Sequence, residues 1–536
     1  MRESDRGAVG LFASGLGTLS VLVLLVLLLW IVAVNAFGWF WPGRIHELAL
    51  TDGSTMVGQP SGREPAAKTR PSRIRLKVGN REFNQEDFIW VEETRIESTS
   101  QPPDLVRILR TKNGDAFGRV MAATSMDARE LDASDQRSLR ALVRRGSAAR
   151  RLLDDLRQRH ERLRRPLTDL EHRIDRLRRS YRADQPSTAR TLKQLERDAR
   201  NLAGRLQPEL TALETEIGDL RERLARGRLV LDAGEEPVVV PLTQMVEVVW
   251  ANEMNWLERV AYALTTGVKF LAEEPRAANT EGGIYPILFG TVLLVLLMSL
   301  AVMPLGVIAA VYLVEYATPG PLSRLARRAI HNLAGVPSIV FGMFGLAFFV
   351  YGLGGAVDRG FFSEDLPSPT FGTGGILWAS LTLAVLTIPV VVVATTEGLQ
   401  AVPRGWRDGS MALGATRWQT LRTIILPAAV PGMLTGLILA VGRAAGEVAP
   451  LMLTGAVKLA HGLPIDSEAP FMHLQRKFMH LGFHIYDISM QSPDVEATKP
   501  MAFASTVVLL GLVVAINLTA ILIRRHLHSV YRVLEE

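Results

Sequence analysis

Two ionisable residues stand where charge is costly. Arg443 and Glu447 lie in Gly442-Arg443-Ala444-Ala445-Gly446-Glu447-Val448-Ala449-Pro450-Leu451, directly after a stretch, Thr423 to Gly442, with no Asp, Glu, Lys or Arg. They are 16 and 20 residues beyond Pro427, which is about 24–30 Å along a helix. This places them in the outer half of a bilayer, beyond snorkelling range of the face where the helix starts, and an ionisable group there is a functional-site candidate. The spacing of four puts both groups on one helical face, where they can pair. A neutral pair that locks helices together is the competing reading. Two details favour a site. Arg precedes Glu, the weaker order for a helical ion pair, and Gly442 and Gly446 leave room beside the charges. A guanidinium matches the oxygens of a phosphate-like anion. A neighbouring carboxylate would keep that binding weak enough for release, as conduction requires.

Other candidates are weaker. Asn332 and Ser338 could line a path between helices, with helix–helix hydrogen bonds as the alternative. His461, His473, His480 and His484 cluster before the last apolar stretch, but no His-Glu-x-x-His motif accompanies them and no metal is expected. No Lys follows a Gly anywhere in the chain, so the Gly-Lys of a phosphate-cradling P-loop is missing. With no cysteine there is no disulfide framework, thiolate metal site or cysteine nucleophile. No enzymatic activity is expected of this chain, and no residue is assigned as catalytic.

The elements that must hold the pair are apolar helices. Six charge-free stretches run Gly7 to Gly43, Gly282 to Val314, Ala329 to Val357, Leu366 to Thr396, Thr423 to Gly442 and Pro500 to Ile523. Each can cross about 30 Å of hydrocarbon, so a single soluble globule is excluded. The first is read as an anchor instead of a cleaved leader, because Trp30, Trp39 and Trp41 suit the far interface. Twelve arginines fall in the short loops and tails on one side: Arg2, Arg6, Arg324, Arg327, Arg328, Arg404, Arg407, Arg417, Arg422, Arg524, Arg525 and Arg532. The short opposite loop has only Arg359, against Asp358, Glu364 and Asp365. The positive-inside rule then puts both termini in the cytoplasm. The expected fold is an all-α polytopic membrane protein of six transmembrane helices with a large α+β extracytoplasmic insert. The divisions are 1–43 (cytoplasmic N-terminus and first helix), 44–281 (insert) and 282–536 (five-helix core).

Within the insert, Ile74, Leu76 and Val78 alternate before a Gly79-Asn80 turn signal, and Val238 to Val249 is β-branched, so strand-rich flanks are predicted. Between them lies an antiparallel coiled-coil hairpin, about 136–226, with Leu163, Leu167, Leu170, Ile174, Leu177 and Tyr181 as one seam. Its turn is Asp184-Gln185-Pro186-Ser187, which sets Pro166 opposite Pro208. From Arg129 to Arg228 there are 25 Arg and one Lys against 17 acids, more than the +6 excess of the whole chain. This reads as a solvated charged face or as a docking surface for an acidic partner. No aromatic residues interleave to stack bases, so nucleic acid is not an expected partner. Trp256, Leu257, Val260, Leu264, Val268 and Leu271 recur at helical spacing, which predicts a helix over about 254–272 lying in the outer lipid interface. A helix buried within the insert is the alternative.

The segment 398–427 carries a resemblance. Asp408-Gly409-Ser410 is followed by Gly414 and, nine residues on, Ile424-Ile425-Leu426-Pro427. It resembles the cytoplasmic coupling loop of ABC importer permeases, whose pattern is Glu-Ala-Ala, three residues, Gly, nine residues, Ile-x-Leu-Pro. The opening triplet departs from that pattern, while Gly414, Ile424, Leu426 and Pro427 keep its spacing. Small residues permit close packing, Gly414 permits a sharp reversal, and Pro427 is expected to open the fifth helix. Gly283 to Thr291, Pro304 to Val307, Asn332 to Gly342 and Gly442 to Leu451 are further similar to phosphate importer permeases of the PstA type. The resemblance implies a transport subunit in the bacterial inner membrane for inorganic phosphate, with the matching Arg and Glu involved in transport. It implies a second homologous permease, two ATPase subunits and an extracytoplasmic phosphate-binding protein as partners, besides membrane lipid. No cofactor is expected on this chain; ATP and magnesium belong to the ATPase. The alternatives are a permease for another oxyanion such as sulfate or molybdate, or an envelope sensor or scaffold working through the coiled-coil insert.

Overall fold

The computed structural model describes residues 3–66, 70–79, 87–180, 186–233, 237–276, 279–363, 366–460, 462–466, 471–492 and 495–532. Arg2, Asn80, Tyr181, Asp184, Gln185, Glu364, Asp365 and His461, named above, lie outside the described residues. The chain divides into two compact units, Met1–Phe40 with Gly267–Glu536, and Trp41–Thr266.

Among the described residues, the first unit holds six helices long and apolar enough to cross a membrane: Ser14–Phe40, Tyr285–Tyr316, Ser338–Phe361, Ile376–Ala401, Arg417–Gly446 and Thr498–Arg525. The fourth is the hub. Its Leu383, Ala384 and Val391 are buried against Leu294, Met298 and Val302 of the second helix and Ala440, Val441 and Ala444 of the fifth. Lipid offers little hydrophobic drive to join helices, so small residues set how closely they meet. Between the fourth and fifth helices the backbones touch: a Cβ on Gly432 would lie 2.6 Å from the Gly398 Cα. Threonines inside the bundle return their hydroxyls to carbonyls one turn back, as Thr382 does to Trp378 at 2.7 Å and Thr387 to Leu383 at 2.8 Å. The first helix packs against the sixth, and its Leu19 to Leu28 stretch is otherwise exposed.

Among the described residues, the second unit is built on two antiparallel sheets. The strands are β1 (His46–Leu50), β2 (Thr55–Glu64), β3 (Arg73–Lys77), β4 (Phe88–Glu92), β5 (Ile96–Ser100), β6 (Leu105–Arg110), β7 (Ala116–Thr124), β8 (Glu130–Leu131), β9 (Arg228–Asp232), β10 (Pro237–Pro241) and β11 (Met245–Val249). One sheet runs β4-β3-β2-β1-β5; the other runs β10-β9-β7-β6-β11, with β8 beside β7. The alternation read at Leu76 and Val78 is the buried face of β3 and its exit. Asp115 is buried between Lys77 at 2.6 Å and Arg107 at 2.7 Å. Burial pushes its carboxyl pKa up, but the two cations outweigh this and hold it well below the usual range.

Two long helices, Gln136–Ser180 and Pro186–Arg226, extend from the second sheet and pack on each other. The cross-pairs His160–Glu214 and Arg178–Glu196 are each equidistant from position 187, so the helices are antiparallel in that register. Pro166 and Pro208 share it, each inside its helix. The excess charge is uneven. The first helix has 15 Arg against 6 acids, while the second has 8 Arg and Lys against 7. The helix Trp256–Ala272 leaves Trp256, Leu257, Val260, Leu264, Val268 and Leu271 exposed, the stripe read from the sequence. Its Phe270 is buried, edge-on to Trp39 and Phe40.

Candidate functional site

The fifth membrane helix does not run through the charged pair. It ends at Gly446, and Glu447 is extended, with φ −74° and ψ 134°. A six-residue helix, Ala449–Thr454, follows. The sequence reading placed both residues on one continuous helical face, and this is corrected. Gly446 and, four residues on, Pro450 interrupt the helix between them. The order argument changes with it. Arg443 occupies the last turn, where helix carbonyls favour a cation, so Arg before Glu is the suitable order here. The ion pair still forms across the break, with Nε 3.2 Å from the Glu447 carboxylate, and the side chains are 34% and 17% exposed. A Cβ built on Gly446 would meet nothing within 4 Å, and one on Gly442 would only graze Val513. A charged pair therefore sits at an interrupted helix with open space beside it.

Depth follows from the neighbouring contacts. Gly436 packs on Val391 and Ala394 of the fourth helix. Arg443 is seven residues further, about 10 Å, and its neighbour Ala444 shares a buried cluster with Leu383 and Ala384. The pair is thus level with the interior of the fourth helix.

Ser338 begins the third membrane helix, and that helix lies beside the segment following Glu447: a Cβ on Gly342 would come 2.7 Å from the Pro450 Cα. Asn332 is exposed near the end of the preceding helix, Pro321–Leu333. The structure thus brings Ser338's helix to the break and leaves Asn332 outside the packed bundle.

The coupling-loop residues form two short helices joined by a tight reversal. Asp408, Gly409 and Ser410 lie on Arg404–Ala412, and Gly414 has φ +90°, a left-handed conformation that suits glycine. Thr416 caps the next helix, Arg417–Thr420, reciprocally with Gln419. The Ser410 and Thr420 hydroxyls meet at 2.9 Å and tie the arms together. Asp408, Gly409, Met411, Leu413 and Trp418 are exposed. Ile424 falls in a wide π-type turn, Leu421–Ile425, that runs straight on into Leu426 and Pro427. Pro427 stands in the first turn of the regular α-helix Leu426–Gly446, as expected, while the continuous helical run of the fifth span starts earlier, at Arg417. The π turn directly before the proline accommodates its missing N–H and the clash its ring would cause.

One pair escaped the sequence reading. Arg407 reaches Glu315 at 3.1 Å and donates to the Leu399 carbonyl at 2.5 Å. The available signal was Glu315 itself, the sole acid between Glu281 and Asp358. Elsewhere, His480 and His484 are buried with no partner for any ring nitrogen. Burial lowers their pKa values to about 3 and about 4, helped at His484 by Lys458. Among the described residues no three His, Asp or Glu side chains are grouped as a metal site.

Comparison with known proteins agrees with this architecture. Residues 302–529 match the family of binding-protein-dependent transport system inner membrane components. The probable ABC transporter permease protein YqgI of Bacillus subtilis is 31% identical over 272 residues, covering 48% of this chain and 85% of that protein. The phosphate transport system permease protein PstA of Yersinia pestis is 27% identical, covering 59% of this chain and 95% of that protein. PstA 1 of Mycobacterium tuberculosis is 36% identical over 34% of this chain, and the match spans about half, 54%, of its length. With six apolar helices among the described residues, a helix–turn–helix leading from the fourth into the fifth, and these relatives, the chain belongs to the inner-membrane components of binding-protein-dependent transport systems, as a multi-pass ABC transporter permease of the PstA type.

Proposed function

We propose that this permease passes inorganic phosphate, and that Arg443 and Glu447 are the groups the anion meets inside the membrane. The observation that carries the reading is the half-buried ion pair at the broken fifth helix, with open space at Gly442 and Gly446. An arriving oxyanion competes with Glu447 for the guanidinium fork, which offers paired donors matched to its oxygens. The displaced carboxylate then repels the anion, so residence is short, as passage requires. The broken helix supports this role, since interrupted membrane helices are where transporters commonly place substrate sites.

The work comes from elsewhere. ATP and magnesium bind a separate ATPase, two copies of which act on two permeases, this chain and a second homologous one. Asp408, Gly409, Ser410, Gly414, Ile424, Leu426 and Pro427 form the loop that seats on the ATPase, and the exposed Met411, Leu413 and Trp418 supply apolar area for that seat. A soluble phosphate-binding protein delivers the anion from outside. Both termini lie in the cytoplasm and residues 44–281 outside, in keeping with the twelve arginines.

Uptake of labelled phosphate by cells whose only phosphate importer contains this chain tests the substrate. Saturable uptake unaffected by excess sulfate or molybdate is expected. Uptake suppressed by either anion would reassign the substrate.

A further inference from the structure

We propose that Arg407 is a positioning residue, the strut that makes the second and fourth membrane helices follow the ATPase-facing loop; the inference rests on the reading of that loop just given. Arg407 lies on Arg404–Ala412, one turn before Ser410, whose hydroxyl ties the two arms of the loop. One terminal nitrogen, Nη2, serves two elements. It lies 3.1 Å from the Glu315 carboxylate and donates at 2.5 Å to the Leu399 carbonyl. Glu315 sits in the wide turn Tyr312–Tyr316 that closes the second helix, and Leu399 near the end of the fourth.

Burial strengthens this contact. The two charged side chains are only 19% and 20% exposed, so they are screened less than a surface pair. Around them Leu313, Leu399, Val402, Leu421 and Ile425 form a buried apolar cluster. Such a cluster holds helices together but does not fix their register, because hydrophobic contact is non-directional. The guanidinium's charge-assisted hydrogen bond to the Leu399 carbonyl does fix the loop against the fourth helix, and its charge holds the buried Glu315 carboxylate of the second helix at 3.1 Å, an oxygen with no hydrogen-bond partner of its own. When the loop moves as a body, Arg407 pulls on both helices together. Without it the apolar joint slips, and ATP is hydrolysed without moving the bundle.

The test uses the complete transporter, this chain with its second permease and ATPases, in proteoliposomes. ATP hydrolysed per phosphate carried is measured for wild type, Glu315→Gln, Arg407→Gln, the double variant and Arg407→Lys. Each Gln variant is expected to assemble and to raise that ratio about tenfold, within the usual range of coupling between sites. The double variant should be no worse than the singles, and Arg407→Lys should restore most of the coupling. Ratios equal to wild type in the single variants would overturn the strut. So would hydrolysis and uptake falling in parallel, or single-variant penalties that multiply. Failure of the underlying reading looks different: the wild-type chain itself would bind no ATPase or carry no anion.

Discussion

Gly432 offers a direct check on how the fourth and fifth helices are held. A methyl group there would lie 2.6 Å from the Gly398 Cα, 3.2 Å from the Ala394 carbonyl oxygen and 3.2 Å from the Gly398 nitrogen. All three are backbone atoms, so no side chain can rotate away. Restoring contact at about 3.5–4.0 Å requires the helices to part by roughly 1 Å, which loosens the packing of Ala394, Ala429 and Gly436 nearby. Overpacking of this kind costs about 1–3 kcal/mol. Gly511, in the sixth helix, is the control, since a Cβ there would meet nothing within 4 Å. Gly→Ala gives both sites the same gain in helix propensity, up to about 1 kcal/mol, so the gain cancels in the comparison. Unfolding of the detergent-solubilised chain by a denaturing surfactant should show Gly432→Ala less stable than Gly511→Ala by about 1–3 kcal/mol. Equal stability within about 0.5 kcal/mol would refute the backbone-to-backbone contact.

Other expectations follow from buried polar groups. Asp115→Asn strips Lys77 and Arg107 of their shared carboxylate; at a site this enclosed it should cost about 3 kcal/mol, read as a lower melting temperature of residues 41–266 within the full chain. An unchanged melt would show the triad to be unimportant. His480 and His484 are held neutral, with pKa values of about 3 and about 4 against an ordinary 6.5. Their folded pKa values are depressed, so their stability contribution is full above pH 6.5 and falls as the pH drops toward them. Between pH 6.5 and 5 the loss is roughly 2 kcal/mol per histidine. The opening free energy read from hydrogen exchange over Leu481–Gln491, after allowing for the slower intrinsic exchange in acid, should fall as the pH drops across that window, and a pH-independent value would contradict the burial.

Much of the membrane unit was legible because lipid imposes a simple rule: no charge over about 20 residues. Five of the six helices fall where charge-free stretches predicted them. The fifth shows the limit of that rule, since it starts at Arg417, ahead of its apolar stretch, and its boundaries depend on local backbone chemistry. Gly446 and Pro450 were visible, yet hydropathy alone joined them into one helix, and the break at Glu447 is a matter of φ and ψ. The π turn at Leu421–Ile425 was hidden for the same reason: Pro427 announces an irregularity without saying whether the helix starts or widens there. Arg407 and Glu315 lie 92 residues apart in sequence. Only the packing of the second helix against the loop makes them a pair. In residues 41–266, the ion pairs between the two long helices keep the register that position 187 gives as their turn. The order of the β-strands was not contained in the sequence pattern, because alternation says which face is buried and nothing about which strand is next door.

Arg443, paired with Glu447 at a helix break, is proposed to handle the anion in transit. Phosphate uptake by an assembled transporter carrying Arg443→Gln tests it most directly, with co-purification of the ATPase confirming assembly. The expected result is an intact complex and uptake reduced at least about a hundredfold, the loss of a charge-assisted contact of about 3 kcal/mol. Wild-type uptake by that same stable complex would contradict it.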